Sequence, residues 1–445
     1  MPSARRTSGA PFSIRFPESL PAERRGPAWR LELGGRELRL SNLDKVFWPD
    51  EGYTKGDVIA YYYNVSGLIL RYLRERPLTM KRMPDGVTGA FFYEKTAPSH
   101  TPEWIPRCRV PSEDSKDGVI DYLTVNEPAA LLFVANLGCI EMHPLHSRCS
   151  SVESPDYLLF DLDPFEPIAF EDVLAVAMHV KAALDSVGLV GYPKTSGATG
   201  VQIYVPVEPG YTYEQVRDFV GTVGRMIERA DRQRVTMAWQ VSRRSGKVFI
   251  DHNMNRAGAN TAAAYSLRPE PGATVSTPLT WDEVERGITP LDFTIETVWK
   301  RFAEVGDVFD RVLSAPQDLG GALAVISPSK DHAMAPVTRT GGRAGSGSTD
   351  QDLAEYLHKR DFTATPEPVP GDGSRTGNSF VIHKHRATRL HYDLRLERDG
   401  ALPSWAVPRG LPTQPGDKRL AVRTEDHPLE YRGFQGTIPK GNYGA

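Results

Sequence analysis

The stretch YLLFDLDP, at residues 157–164, decides how the fold of this chain is interpreted. Its short length and its aromatic and apolar content predict a buried strand over Tyr157–Leu162. Asp161 and Asp163 are two residues apart, so their side chains point to the same face of that strand. Two carboxylates on one face at a strand end can bind a divalent cation through oxygen ligands, although a pair of turn or capping aspartates gives the same pattern.

A third aspartate strengthens the metal interpretation. Asp251 follows a second apolar segment, Lys247–Ile250, which is also predicted to be a strand. Three strand-end carboxylates can hold two metal ions about 4 Å apart, the arrangement used for phosphoryl transfer. The glycine-rich segment KTSGATG, residues 194–200, leads into the predicted strand Val201–Val205. Its backbone N–H groups can point at phosphate oxygens, but an ordinary hairpin turn explains the same residues.

Helical and strand-like segments alternate around these motifs. Apolar side chains at helical spacing predict helices over 57–74 and 170–187. Thr212 and Gln215 form a capping box for a third helix, which is expected to end near Arg229. This mixture of helices and strands indicates an α+β fold for this part of the chain.

Length and composition indicate how the chain is divided. With 445 residues, two or three domains are expected. We predict a flexible N-terminal arm at 1–27, a catalytic domain at 28–313, a Gly/Ser/Thr/Pro-rich linker at 314–350 and a β-rich module at 351–445. The formal net charge of −3 requires any nucleic-acid site to be a local basic patch. No apolar run reaches the roughly 18 residues of a membrane span, and no signal peptide is evident.

The cysteine content points to the compartment. Cys108, Cys139 and Cys149 are few, odd in number and not spaced like metal ligands. A reducing cytoplasm therefore fits better than a disulfide framework.

The β-rich module carries its own cluster of polar residues. His391, Asp393 and Arg395 alternate along a predicted strand and so face the same way, with His385 shortly before them. Histidine with carboxylate suits a transition metal such as Mn²⁺ or Zn²⁺, and Arg395 can clamp a phosphate beside it. An exposed polar strand face is the alternative.

Taken in order, the motifs resemble those of a known family. The segments DLD (161–163), TSGATGVQ (195–202) and FIDHN (249–253) are similar to the three motifs of archaeo-eukaryotic primase-type polymerases. The resemblance is closest to the polymerase domain of bacterial DNA ligase D, the non-homologous end-joining enzyme. It is supported by NLDKVFWPDEGYTKGDV, RPLTMKRMPDGV, FFYEK, VNEPAALLFVANLGCIEMHP and AAAYSLR. The segments KHRATRLHYDLRLERDG and TEDHPLEYRGFQGTIPKGNYGA resemble the 3′-phosphoesterase domain of the same ligase family.

For the catalytic domain the resemblance implies specific roles. The catalytic ligands of two Mn²⁺ or Mg²⁺ ions would be Asp161, Asp163 and Asp251. The nucleotide substrate, NTP or dNTP, would be bound by Ser196, His143, Arg244, Arg268 and Gln202. DNA would be bound by Lys45, Lys55, Lys81, Arg82, Phe91 and Phe92, with the lysines at 45 and 55 holding a 5′-phosphate. Judged singly, the basic residues could be solvated charges, the phenylalanines core residues and the histidine a structural one.

The chain departs from the family pattern at a few positions. Thr199 and Gln202 stand where relatives often have a basic residue and a histidine, and Met254 stands where they often have glutamine. Gln202 can hydrogen-bond a phosphate or a sugar but carries no charge. The resemblance therefore leaves the preference between ribonucleotides and deoxyribonucleotides open.

For the second module the resemblance implies a single Mn²⁺ held by His385, His391 and Asp393. The scissile phosphate would be gripped by Arg395, Arg419, His427 and Tyr431. The family's domain is a small β-barrel with more strands than this segment supplies, so we expect a partial, truncated barrel. No nucleotidyl-lysine motif of the KYDG type occurs, so no ligase module is expected in this chain.

Together these patterns predict a DNA-end-directed nucleotidyltransferase that fills in or extends 3′ ends at double-strand breaks by two-metal phosphoryl transfer. Two alternatives stay open: a 3′-end-processing phosphoesterase, and a non-catalytic module that holds DNA ends together. The expected partners are double-stranded DNA ends with a 5′-phosphate, an end-binding Ku-type protein, and a DNA ligase on a separate chain or in a missing C-terminal part. No membrane partner is expected, and the expected location is the cytoplasm, in association with the nucleoid.

Overall fold

The computed structural model describes most of the chain up to residue 326 and parts of the rest. The described residues are 17–112, 115, 117–326, 356, 360, 367–368, 379–386, 390–397, 401–408, 410, 419–434 and 436. The chain divides into two compact units, residues 1–333 and 334–445. Within the described residues, no helix is both long enough and apolar enough to span a membrane.

The first unit mixes strands and helices. Its described strands are β1 (Glu23–Arg25), β2 (Ala28–Leu33), β3 (Arg36–Ser41), β4 (Val46–Trp48), β5 (Tyr53–Thr54), β6 (Leu78–Arg82), β7 (Phe92–Glu94), β8 (Arg107–Pro111), β9 (Val119–Leu123), β10 (Cys139–Pro144), β11 (Tyr157–Phe165), β12 (Tyr192–Thr195), β13 (Val201–Pro206), β14 (Val235–Thr236) and β15 (Lys247–Ile250). Its helices are α1 (Lys55–Leu73), α2 (Pro128–Asn136), α3 (Phe170–Ser186), α4 (Tyr213–Ala230), α5 (Trp281–Arg286), α6 (Val298–Val305), α7 (Arg311–Ser314) and α8 (Gly320–Ile326).

A five-stranded sheet in the order β12–β13–β11–β15–β14, called sheet A, carries the predicted metal ligands. Its strands are antiparallel except β14 and β15, which run parallel. Helices α3 and α4 pack on it through buried apolar residues. Helix α4 begins at the predicted capping box, in which the side chains of Thr212 and Gln215 each accept a hydrogen bond from the other's backbone N–H. The mixed α/β architecture predicted from the sequence is confirmed.

A second five-stranded sheet, sheet B, has the order β10–β6–β9–β8, with β7 also paired to β6. Helices α1 and α2 pack against each other and contact β10. A bulge between Cys139 and Glu141 shifts the register of β10, so that Glu141 lies opposite Lys81 and His143 lies opposite Thr79. Bulges of this kind re-aim side chains and often occur beside active sites.

The first unit extends beyond the limits expected from composition. Strand β1, which lies in the predicted arm, pairs with β2. In the predicted linker, Leu319 is fully buried in the core. The side chain of Gln317 accepts from the N–H of Val190 and donates to its carbonyl, at 2.7 and 2.9 Å. Composition missed these contacts because the partners are distant in sequence. Residues 1–16 of the arm and 327–350 of the linker lie outside the described residues.

The cysteines differ from the expectation. Cys108, on β8, and Cys149, shortly after β10, form a disulfide with Cα atoms 5.8 Å apart, while Cys139 is free and buried. The sequence was interpreted as fitting a reducing cytoplasm better than a disulfide framework, and this disulfide was not expected from it. The two cysteines are 41 residues apart in the chain, so only the folded arrangement of sheet B brings them together.

The second unit is rich in strands in its described part. They are β16 (Phe380–Arg386), β17 (Leu390–Leu396), β18 (Ala401–Leu402), β19 (Ser404–Val407), β20 (Val422–Arg423) and β21 (His427–Pro428). An antiparallel sheet has the order β16–β17–β19–β20, and β18 pairs with β21. A small core is formed by Tyr356, Leu402, Leu429 and Tyr431. The described strands do not form a closed barrel.

Candidate functional site

Three carboxylates meet on sheet A. Asp161 and Asp163 lie on β11, and Asp251 directly follows the neighbouring strand β15. The backbone N–H of Asp251 donates a hydrogen bond to the carbonyl of Asp161 over 2.9 Å. Asp161 is buried, and Asp163 and Asp251 are half-buried. The structure therefore brings the three predicted metal ligands to one place.

Burial and mutual repulsion raise the pKa values of two of these groups. Removal from water raises the pKa of Asp161, and the neighbouring charge of Asp251 raises it further. The pKa of Asp163 is raised first by burial and then by Asp161 and Asp251. Gln202 Nε2 donates to Asp161 Oδ1 over 3.0 Å, and this hydrogen bond offsets part of the rise in the pKa of Asp161. Repelling oxygen ligands of this kind fit divalent cations such as Mn²⁺ or Mg²⁺, which balance their charge.

The glycine-rich loop is a β-hairpin turn between β12 and β13. The hydroxyl oxygen of Ser196 accepts hydrogen bonds from the N–H groups of Ala198 and Gly200 at 3.1 and 3.0 Å, so the side chain closes the loop on itself. A Cβ atom on Gly200 would lie 2.5 Å from the carbonyl oxygen of Leu162, and one on Gly197 would lie 2.6 Å from Arg268 Cγ. Glycine is needed at both positions because the loop presses against β11 and against the segment that carries Arg268.

Arg244 lies beside the aspartates. Its guanidinium group stacks on the ring of Phe249, 3.5 Å from the ring centre. It donates hydrogen bonds to the carbonyls of Ala238 and Trp239 at 2.9 and 2.7 Å. Its charge lowers the pKa of Asp163, against the larger effect of burial. A cation held next to the carboxylates can bind a phosphate oxygen there.

Arg268 and His143 converge on a buried glutamate. Arg268 Nε lies 3.0 Å, and His143 Nε2 lies 2.9 Å, from Glu141 Oε2. Arg268 also donates from Nη1 to the carbonyl of Ser196 over 2.6 Å. The structure thus joins three predicted nucleotide-binding residues, Ser196, His143 and Arg268, in one group.

Hairpin β6–β7 presents different residues on its two faces. Lys81 lies opposite Tyr93 and over the ring of Phe91, at 4.9 Å from its centre. Arg82 lies opposite Phe92, with the guanidinium carbon 5.1 Å from that ring centre. Phe91 and Phe92 are 55 % and 44 % exposed, so the alternative that they are core residues is wrong. Exposed aromatic rings beside cations are suited to stacking on nucleic-acid bases.

A cleft of about 550 Å³ collects three of the predicted DNA-binding cations. Lys45, Lys55 and Arg82 all line it. Lys55 is buried, and burial together with the charges of Lys45 and Arg82 lowers its pKa to about 8. Its ammonium group donates to the carbonyl of Ser41 over 2.9 Å. Because the three cations repel one another, a bound anion such as a phosphate would be stabilised in this cleft.

The predicted metal ligands of the second unit lie together. The register of β16 and β17 places His385 opposite His391. Asp393 Oδ2 lies 3.5 Å from His385 Nδ1, and its Oδ1 lies 3.4 Å from His391 Nε2. Ligand atoms of all three lie within 4.8 Å of one another, and no other set of three such side chains in the described part of the chain is that close. Two imidazoles and a carboxylate suit Mn²⁺ or Zn²⁺.

The residues predicted to bind a phosphate in the second unit differ in burial. Arg395 is buried and donates to Asp393 Oδ2 and to the hydroxyl of Ser404, at 3.0 and 2.9 Å. Tyr431 lies under the Arg395 guanidinium, 4.6 Å from its carbon to the ring centre. His427 is buried, and its pKa is lowered by burial and by the charges of Arg395 and Arg360. Arg419 is exposed.

Comparison with known proteins places these features in a family. Residues 54–309, more than half of the chain, match the family described as LigD, primase-polymerase domain. This chain belongs to the LigD primase-polymerase family. Residues 383–445 match a second LigD family, the DNA Ligase D 3′-phosphoesterase domain. The resemblance inferred from the motifs is therefore confirmed for both parts of the chain.

Curated LigD proteins are similar to this chain along most of its length. The multifunctional non-homologous end joining protein LigD of Mycolicibacterium smegmatis is 37 % identical over 422 residues, which cover 94 % of this chain and 50 % of that protein. A LigD of Mycobacterium tuberculosis is 35 % identical over 421 residues, 92 % of this chain and 51 % of that protein. The bifunctional LigD of Bacillus subtilis is 30 % identical over 283 residues, 63 % and 45 % respectively. The chain thus spans about half the length of these LigD relatives.

A solved LigD structure is similar to the first part of the chain. It is described as the polymerase domain from Mycobacterium tuberculosis Ligase D in complex with DNA. The match has a TM-score of 0.58 and 30 % sequence identity, and it covers 63 % of this chain and 99 % of that one.

Sequence reasoning missed three residues of the LigD-type site. Glu141 is fully buried and binds predicted site residues. Lys194 is also fully buried, donates to Ser276 Oγ over 2.6 Å, and has its pKa lowered to about 7 by burial. Tyr93 is exposed and packs edge-on against His143, with ring centres 5.8 Å apart. The signal that could have identified Glu141 is a charged residue within the mainly apolar segment CIEMHP.

We predict that Asp163→Asn stabilises the cation-free protein at neutral to mildly alkaline pH. The folded protein binds a proton at Asp163 more tightly than the unfolded chain does. The stabilisation that this proton gives the folded state is therefore complete below about pH 4 and is lost as pH rises through the raised pKa of Asp163. The variant should raise the Tm near pH 8 by about 2–4 °C, equivalent to roughly 1 kcal/mol, and show a smaller fall of Tm with rising pH. Thermal unfolding in chelator measures this. The exposed Asp218→Asn is the control, and an unchanged Tm profile for Asp163→Asn would contradict the argument.

Proposed function

We propose that this chain is a DNA-directed nucleotidyltransferase that fills in or extends 3′ ends in bacterial non-homologous end joining. The observation that carries the proposal is the set of three carboxylates, Asp161, Asp163 and Asp251, on neighbouring strands of sheet A. The family match over residues 54–309 supports the same reaction class. The relatives' names mention non-homologous end joining, which supports this repair pathway as the setting.

The residues around the carboxylates suggest how the reaction would proceed. Asp161, Asp163 and Asp251 would hold two divalent cations, Mn²⁺ or Mg²⁺, which when bound would neutralise phosphate charge during in-line attack by a primer 3′-OH. Arg244 and Arg268 would bind the triphosphate oxygens of an NTP or dNTP. Positioning of the two substrates then provides most of the catalysis.

The nucleotide contacts of the remaining residues are also proposals. Ser196, whose hydroxyl closes the hairpin loop, would contact the triphosphate. Gln202 is bonded to Asp161 and so would orient that carboxylate as well as meet the nucleotide. His143 would contact the nucleotide from sheet B, where it packs against Tyr93.

We propose that the cleft lined by Lys45, Lys55 and Arg82 binds the 5′-phosphate of a DNA end. The template strand would cross hairpin β6–β7, where Phe91 and Phe92 would stack on its bases and Lys81 would contact its backbone. The remaining partners would be a Ku-type end-binding protein and a ligase on another chain or in a further C-terminal part. The place of action would be the cytoplasm, at the nucleoid. A non-catalytic role in holding DNA ends is less favoured because the carboxylates are intact.

A second activity is supported by the metal-type cluster of the second unit. We propose that His385, His391 and Asp393 bind one Mn²⁺ and that this unit is part of a β-barrel that removes 3′-phosphates. Arg395, His427, Tyr431 and Arg419 would contact the phosphate. Buried Arg395 would also fix the carboxylate of Asp393.

We predict that Asp161→Ala abolishes Mn²⁺-dependent primer extension, because the site would lose one of its three carboxylate ligands, while DNA binding stays within about twofold. Extension of a 5′-phosphorylated gapped duplex with NTPs and with dNTPs measures the first, and fluorescence anisotropy measures the second. The exposed Asp185→Ala on α3 is the matched control. Undiminished extension by Asp161→Ala would rule out the proposed site.

We predict that Lys55→Met reduces discrimination in favour of a 5′-phosphate about tenfold or more, since a charge-assisted phosphate contact contributes roughly 1.5–3 kcal/mol. The methionine keeps most of the buried apolar stem. Affinities for gapped DNA with and without the 5′-phosphate give the discrimination ratio. Lys300→Met, an exposed lysine on α6, is the control, and an unchanged ratio in Lys55→Met would count against the cleft.

We predict that His391→Ala prevents high-affinity Mn²⁺ binding in the second unit and abolishes any release of phosphate from a 3′-phosphate primer. The Mn²⁺ titration by calorimetry should be carried out in an Asp161→Ala background, so that Mn²⁺ binding at the carboxylates of sheet A contributes less heat. Exposed His179→Ala serves as the control. Phosphate release that persists in His391→Ala would exclude this cluster as its source.

A further inference from the structure

Glu141 is a charged residue in a strand whose other residues are also buried. Strand β10 is buried along its full length, and Glu141 has no exposed surface. The bulge after Cys139 sets the face to which Glu141 points, since it places this residue opposite Lys81. An isolated buried carboxylate is strongly unfavourable, so its partners must compensate for the lost water.

Three basic side chains surround this carboxylate. Lys81 Nζ contacts Oε1, while His143 Nε2 and Arg268 Nε lie 2.9 and 3.0 Å from Oε2. Burial would raise the pKa of Glu141, but these partners together lower it to about 2, so the group is ionised. The carboxylate therefore accepts bonds on both oxygens.

The contact with Glu141 also sets the tautomer of His143. An ionised carboxylate can only accept hydrogen bonds, so the proton of the neutral ring must be on Nε2. Burial lowers the pKa of His143, which keeps the ring neutral near physiological pH. Nδ1 is then left as a hydrogen-bond acceptor. A glutamine at position 141 could donate as well as accept and would not fix this tautomer.

The partners of Glu141 extend to two parts of the site. Lys81 lies over Phe91, on the hairpin proposed to carry the template strand. Arg268 donates to the carbonyl of Ser196, in the loop proposed to meet the triphosphate. His143 packs against Tyr93. The carboxylate is thus the common contact between the hairpin of sheet B and the glycine-rich loop of sheet A.

We infer that Glu141 is a positioning residue that connects the template contact to the nucleotide contact, holding Lys81, His143 and Arg268 in one fixed arrangement. The inference rests on the proposed function. Loss of its charge leaves the cations Lys81 and Arg268 to repel each other, removes the acceptor that orients His143, and so separates the two contacts. DNA on the hairpin then no longer improves the binding of the nucleotide.

Glu141→Gln and Glu141→Asp test this role in the full chain. For Glu141→Gln we expect a rise in the KM for the nucleotide of about tenfold or more, with kcat changed less than threefold. The ratio of nucleotide affinities with and without gapped DNA should fall towards one. Glu141→Asp keeps the charge but shortens the side chain, so it should restore part of both quantities.

Glu283→Gln is the matched control for a merely structural effect. Glu283 makes a largely buried ion pair with Arg301 on helices α5 and α6, at 2.8 and 2.7 Å. The Glu283→Gln variant should lower the Tm but leave unchanged both the KM for the nucleotide and the effect of DNA on nucleotide affinity. If Glu141→Gln gave the same pattern as this control, the inference would be overturned.

A double-mutant cycle covers the case in which Glu141→Gln folds poorly. Lys81→Met alone should raise the KM for the nucleotide, although Lys81 is proposed to contact only DNA. Combined with Glu141→Asp, its effect should be less than the product of the single effects, because both changes disrupt one network. Independent effects in a folded pair would contradict the connection. Failure of the wild-type chain to extend primers would instead refute the proposed function.

Discussion

The repulsion among Asp161, Asp163 and Asp251 is the constraint on which the first unit depends. Charges taken out of water need compensation, and cations from several segments supply it. Arg268, one of these cations, is itself paired with buried Glu141, and Glu141 in turn contacts Lys81 on the neighbouring strand of sheet B. The balance of charge therefore extends from sheet A into sheet B, and the two sheets cooperate in building one site.

Much of this architecture follows from local sequence. Helical spacing, the Thr212 capping box and the two-residue spacing of the aspartates depend only on neighbours in the chain, and the structure contains all of them. What the sequence does not reveal depends on distant partners. Glu141 and Lys194 are buried charges whose compensation comes from other segments. Gln317 likewise contacts a residue that is distant in the sequence, Val190, so composition alone placed it in a linker.

The second unit shows the opposite case. Its three ligand-type residues come from one hairpin, so their spacing and strand register were enough to bring them together. Their surroundings were not predictable in this way. Arg360, for example, pairs with Glu367 and Glu425, which are drawn from separate segments. Local patterns thus identify ligands well, but they say little about the buried network that fixes their orientation.

Hairpin β6–β7 has a consequence for how this family can diverge. Phe91 contacts Lys81, and Phe92 contacts Arg82. Because consecutive side chains of a strand point to opposite faces, a substitution of one ring leaves the contacts of the other in place. The two faces of the hairpin can therefore change independently by single substitutions. Insertion or deletion of a single residue, by contrast, would exchange the faces of every side chain that follows in the strand. Selection should therefore keep the length of this hairpin constant as well as the cations and aromatic rings that it carries.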